Sequence, residues 1–279
     1  MRKILGLAAL ALTLSACEMR VDPGATDPRI RRALDDHLIV FDEHQPLGDR
    51  LFVFLPGTGG TPEGYPELLR EVAAQGIPAI GLMYPSVPQV GSLCARDGSE
   101  PDCTEQVREE RIYGVDTSSK VQVSPANSIV NRLGKLLQYL HWTRFLDGDQ
   151  PRWDRIVIAG HSQGGGHAAM LARDHEVARV VFFASPGDWS AGTAPWMLEP
   201  RATPPDRYYG FGHQDDGPSF FVNWASLGLS GSLTSVDGAS PPYGGSHRLV
   251  TDAPVSNPHG AVATNAARYA TVWRYLCCS

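Results

Sequence analysis

The 279-residue chain has no apolar run of membrane-spanning length, no cluster of Lys or Arg, and no Cys/His spacing that resembles a metal site. Each absence excludes something. The stretch Ile4–Leu14 falls far short of the roughly 20 apolar residues that cross a bilayer as a helix. With 24 Lys and Arg against 30 Asp and Glu, and a net charge of −6, the chain is a poor match for nucleic acid or an anionic membrane surface. Cysteine is scarce: the five stand at 17, 94, 103, 277 and 278, and no metal or other cofactor is implied. Internal repeats are absent, as is any linker long enough to divide the chain, so one domain with a large core is expected.

What is present begins at the amino terminus. Met1-Arg2-Lys3, a short apolar core and the small residues Ser15-Ala16 form an export signal. Leu14-Ser15-Ala16-Cys17 resembles the lipobox of bacterial lipoproteins. That resemblance implies removal of residues 1–16, acylation of Cys17 and a lipid anchor in the cell envelope, periplasm-facing or at the cell surface. Residues 17–32 then read as a tether, broken by Pro and Asp, and 33–279 as a single α/β domain. In an oxidising compartment Cys94 and Cys103, which flank a polar loop, are the first choice for a disulfide. The pairing of Cys277 and Cys278 stays open.

Short apolar runs at 37–41, 51–55, 77–83, 156–159, 180–184, 208–211 and 248–251 read as strands, the first two as a hairpin. Helical patterns occupy 66–75, 128–145, 164–174 and 261–276, with a long polar segment over 84–125. Strands alternating with helices imply a mainly parallel sheet covered on both faces. Ligands of such sheets bind beyond the carboxyl ends of the strands.

Directly behind the run Ile156-Val157-Ile158-Ala159 stands Gly160-His161-Ser162-Gln163-Gly164. A Gly-x-Ser-x-Gly sequence between a buried strand and a helix makes a tight turn that pushes the serine hydroxyl out at the top of the sheet. Here the chain resembles the α/β-hydrolase superfamily, in particular its esterases and lipases, from about His37 to Leu276. The resemblance implies an acid after a late strand and a histidine after the last one. It gives Ser162 as nucleophile, His259 as base (His247 being the rival) and Asp215 as acid, with Asp216 and Asp188 as alternatives. The backbone N–H groups of Gln163 and Thr58, the latter in Pro56-Gly57-Thr58-Gly59-Gly60, are expected to form the oxyanion hole.

The segment from Ser185 to Arg207 lies where the family carries a lid. Its Trp189, Trp196 and Met197 either line an apolar acyl site or pack the loop onto the body. The expected activity is hydrolysis of a small-molecule or lipid carboxylic ester, by a monomer with no cofactor. A peptidase, thioesterase or acyltransferase would use the same residues, and an inactive binding lipoprotein on the same scaffold is the alternative of a different class. Intact-mass analysis of the mature protein is expected to show a chain that starts at an acylated Cys17; an unmodified cysteine there contradicts the lipobox reading.

Overall fold

The run Leu51–Leu55 shows no alternation in its sequence because both of its faces are covered. In a computed structural model, which describes residues 16–278 apart from Pro218, it forms strand β3, buried at every position. Leu51, Val53 and Leu55 enter one hydrophobic core and Phe52 and Phe54 enter another, on opposite sides of the sheet. Strands β7 (Ile156–His161) and β8 (Arg179–Phe183) divide their side chains in the same way. The protein is mixed α/β, with helices on both faces of a large, mostly parallel sheet.

The other strands are β1 (Ala16–Val21), β2 (His37–Asp42), β4 (Ala79–Gly81), a small separate hairpin of β5 (Leu146–Asp147) and β6 (Gln150–Pro151), β9 (Tyr208–His213), β10 (Thr234–Ser235) and β11 (Arg248–Thr251). The nine-stranded sheet runs β1-β2-β4-β3-β7-β8-β9-β11-β10, antiparallel at β1-β2 and β2-β4 and parallel elsewhere. The expected hairpin of the 37–41 and 51–55 runs is therefore not formed. β4 lies between them, because a parallel pair needs a crossover and helix α2 (Pro66–Ala73) supplies it.

On one face lie α4 (Cys103–Tyr113), α5 (Ile129–Tyr139) and α6 (Gln163–Asp174); on the other lie α2, α8 (Pro258–Thr264) and α9 (Ala266–Cys278). Short helices α1 (Pro23–Thr26) and α3 (Val90–Leu93), and α7 (Ser219–Ser226), complete the set. The α5 stripe Ile129, Leu133, Leu136 and Leu137 is buried as its spacing predicts, and Ser128 caps the helix by accepting from Asn131 N. Among the described residues, no helix is long and apolar enough to cross a membrane.

Three further expectations are corrected. The signal over residues 1–16 lies outside the described residues except for Ala16, and the 17–32 segment is not a tether. Its start is the edge strand β1, in which Cys17 pairs with Phe41 and Val21 with His37. Glu18 is bound by Arg70 at 2.7 Å and Arg20 by Glu63 at 2.6 Å, which ties β1 to α2 and to the turn before it. Further on, Ile30 is buried and Arg132 donates to Ala33 O at 3.0 Å. Cys17, Met19 and Val21 alternate with Glu18 and Arg20, a strand pattern hidden by the Pro and Asp that follow. The polar segment 84–125 contains α4, whose many charged residues conceal its buried Val107 and Ile112. The closing helix is two helices, separated at Asn265.

Cys94 and Cys103 form a disulfide, nine residues apart in sequence. Replacing both by serine frees a short loop in the unfolded chain. It is expected to lower stability by about 2–3 kcal/mol, measured by urea unfolding under non-reducing conditions.

Candidate active site

β3 leads to a helix on one face of the sheet and its neighbour β7 to a helix on the other, so a crevice opens between the loops at their carboxyl ends. Ser162 sits there. Its backbone, at φ 54° and ψ −120°, is in a region that L-residues rarely adopt. The turn is held by Ser162 N donating to Phe183 O at 2.9 Å and Gly165 N donating to Ser162 O at 3.1 Å. The glycines answer to close approach. A Cβ on Gly160 would collide with the backbone of Gly164, and one on Gly164 with the carbonyls of Leu55 and Pro56. Gly166 leaves the space taken by the guanidinium of Arg108.

His259 stands in the first turn of α8, capped by Asn257, whose Oδ1 accepts from Gly260 N at 3.0 Å. Its Nδ1 lies 2.7 Å from Oδ2 of Asp216, and the Asp216 side chain is only 15% exposed. Ser162, His259 and Asp216 line one cavity of about 180 Å³. Asp215, the expected acid, points away: its side chain is 75% exposed and its nearest basic atom is His213 Nδ1, at 3.8 Å. The reason is the length of β9, which runs two residues beyond the predicted end at Phe211 and shifts the following turn. His213 then fixes that turn, accepting from Asp215 N at 3.1 Å and donating to Ala253 O at 2.9 Å. Asp188 is engaged elsewhere, in a two-pronged ion pair with Arg108, both groups being almost fully buried. His247, the rival base, contacts Tyr208 O at 3.0 Å and does not line the cavity.

The amide of Gln163 opens α6, where the first N–H groups have no partner within the helix. That residue is clamped on three sides. Its carbonyl accepts from Arg108 Nη1 at 3.0 Å, its Oε1 from Val90 N at 2.8 Å, and its Nε2 donates to Ser86 O at 2.5 Å. The loop after β3 passes close by, since a Cβ on Gly57 would lie 3.2 Å from Ser162 Cβ. In that loop Gly57 N donates to Tyr65 Oη, Gly59 N to Ser86 Oγ and Gly60 N to Gly57 O, while Thr58 N has no bonded partner among the described residues. The N–H groups of Gln163 and Thr58 thus remain uncommitted among the described residues, although Thr58 does not line the cavity.

Sequence reasoning passed over His161, which joins the two sides of the site. A carbonyl can only accept, so the 2.9 Å contact of its Nε2 with His259 O assigns the proton to Nε2. Its Nδ1 therefore accepts from Tyr65 Oη, also at 2.9 Å, and Tyr65 reaches Gly57. Its ring packs on that of His259, with centroids 4.6 Å apart. Burial pushes His161 down to about 4, and His259 beside it adds to the effect. Burial likewise lowers His37 to about 3, and holds His167 well below the ordinary histidine range. Only a buried-partner argument identifies such residues, and the sequence carries none.

Trp196 and Met197 pack into the core and line no part of the cavity, the second of the two arrangements expected of that loop. Instead the 84–125 segment supplies a wall through Gln89, Val90, Gly91 and Arg96. Among the described residues, no group of three His, Cys, Asp or Glu side chains is arranged to hold a metal ion.

The buried His37, His161 and His167 set an acid limit. Each is neutral in the fold and takes up a proton more readily when unfolded, so their contribution is intact above about pH 6.5 and falls as the pH drops from there towards 4. The loss approaches ~1.4 kcal/mol per pH unit for each group. Chemical denaturation between pH 7.5 and 4.5 is expected to show this decline, with a shallower slope in His161→Gln.

Compared with models of protein families, the chain matches none, and no curated protein matches its sequence.

Proposed function

We propose that this chain is a serine hydrolase of the α/β-hydrolase fold that cleaves carboxylic esters through an acyl-enzyme on Ser162. One observation carries the reading: a serine on a strained strand-to-helix turn shares a cavity with a histidine whose Nδ1 is 2.7 Å from a largely buried carboxylate. The order Ser162, Asp216, His259 along the chain is that of the resembling family, with the acid after a late strand and the histidine after β11.

A serine hydroxyl is almost wholly protonated at neutral pH and needs a base to attack a carbonyl carbon. The Nε2 of His259 takes that proton as Oγ bonds to the acyl carbon, while Asp216 holds Nδ1–H and stabilises the imidazolium. Charge on the tetrahedral oxygen is met by the N–H groups of Gln163 and Thr58, neither of which is bonded among the described residues. The imidazolium protonates the departing alcohol. Water, activated by the same histidine, then releases the acid.

The lipid anchor belongs to the same proposal. β1 runs in the direction of β4, β3 and β7, so Cys17 at its start lies at the edge of the sheet opposite the carboxyl ends that carry Ser162. With no tether between Cys17 and the body, an acylated Cys17 holds the domain against the membrane with its cavity turned towards the aqueous side.

A fluorophosphonate probe is expected to label the wild-type protein and fail on Ser162→Ala. In ester turnover, Asp216→Asn is expected to lower kcat by about 10³–10⁴-fold through the wrong histidine tautomer. Asp215→Asn is expected to change it by less than about threefold, because its carboxylate does not reach His259. Equal losses from the two substitutions contradict the assignment of the acid.

A further inference from the structure

The wall of the Ser162 cavity carries two arginines of different status. Arg108 is 2% exposed and neutralised by Asp188. Arg96 is exposed, and its guanidinium has no hydrogen bond or ion pair among the described residues. The nearest acids in sequence are occupied. Asp97 accepts from Ser99 N at 3.0 Å and Ser99 Oγ at 2.6 Å, and Glu100 from Ala95 N at 3.1 Å and Lys120 Nζ at 2.7 Å. Asp216, on the same wall, is bonded to His259. Of the charged side chains lining the cavity, Arg96 is therefore the one with no bonded partner among the described residues.

The backbone that presents this charge is fastened on two sides. The Cys94–Cys103 disulfide closes the loop, and Arg96 O accepts from Ala191 N at 2.8 Å. A loop already fixed spares the cost of ordering its backbone on binding, and the guanidinium offers a planar fork matched to a carboxylate. The cavity itself is small and mostly polar, with Gln89, Asp188 and Ser219 beside Val90 and Phe220. A long acyl chain finds no apolar channel there.

We propose that the ester hydrolysed at Ser162 is short and bears a carboxylate, which Arg96 binds as the specificity-determining residue. This rests on the hydrolase reading above and adds the chemical class of the substrate. The orientation implied by Cys17 agrees with it, since a charged, short ester is met in water and not in a bilayer.

The test compares nitrophenyl acetate with the mono-nitrophenyl ester of succinic acid, using wild type, Arg96→Gln and Arg96→Lys. Wild type is expected to favour the anionic ester in kcat/KM, and 0.5 M salt to erode that preference by screening. Arg96→Gln is expected to reduce the anionic-to-neutral ratio at least tenfold, and Arg96→Lys to retain part of it. Hydrolysis of both esters with a ratio unmoved by Arg96→Gln overturns the role of Arg96 and leaves the hydrolase reading standing. Failure to turn over either ester, together with no fluorophosphonate labelling of Ser162, overturns both. Equal unfolding temperatures of the three proteins exclude misfolding as the cause of a lowered ratio.

Discussion

Everything at the site depends on how closely the start of α6 approaches the end of β3. Gly164 lies against the carbonyls of Leu55 and Pro56, and Gly160 against the backbone of Gly164, at separations no side chain tolerates. That contact bends the chain at Ser162 into a conformation costing of order 1–3 kcal/mol for a non-glycine residue. The surrounding sheet over-determines the turn. β7 is buried at every position between β3 and β8, and Ser162 N is bonded to β8 through Phe183. The strain is thus borne by the central strands of the sheet, where local opening is most costly.

A second layer of buried polar groups stiffens this arrangement. Arg108 reaches from α4 across Gly166 to bind both Asp188 and the carbonyl of Gln163, and the Gln163 side chain bridges to the 86–90 backbone. An ion pair so buried adds little net stability against an apolar replacement, yet removing one partner leaves an uncompensated charge. Its contribution is positional. On the opposite side, the chain from Gly57 through Tyr65 and His161 to His259 O couples the loop after β3 to the first turn of α8. The desolvation that keeps His161 neutral is the same desolvation that makes those bonds strong.

The amino-terminal segment is part of the sheet and bears on the proposed lipid anchor. β1 extends the sheet by one strand and is held to α2 by Glu18 and Arg70. Under that proposal an anchor at Cys17 would have no slack, and orientation would follow from strand direction. The polar cavity and the unmatched Arg96 at its wall suit ligands that arrive from water.

Much of this was legible in the residues themselves. Unbroken apolar runs at 51–55 and 156–159 announce strands covered on both faces, and Gly160 to Gly164 announces the turn, because those patterns reflect local backbone and burial requirements. That His259 comes to the cavity of Ser162 follows from its place after the last strand. Between Asp215 and Asp216, one residue apart, the spacing after Gly212 favours Asp215, whereas the fold sets Asp216 against His259. That choice turned on where β9 ends and on His213 capping the turn, both set by contacts with strands and loops distant in sequence. The same holds for β1, for α4 and its Arg108–Asp188 pair 80 residues apart, and for His161. Periodicity and turn chemistry are properties of neighbouring residues. Which carboxylate meets which base, and which charge is left without a partner, are properties of the folded assembly.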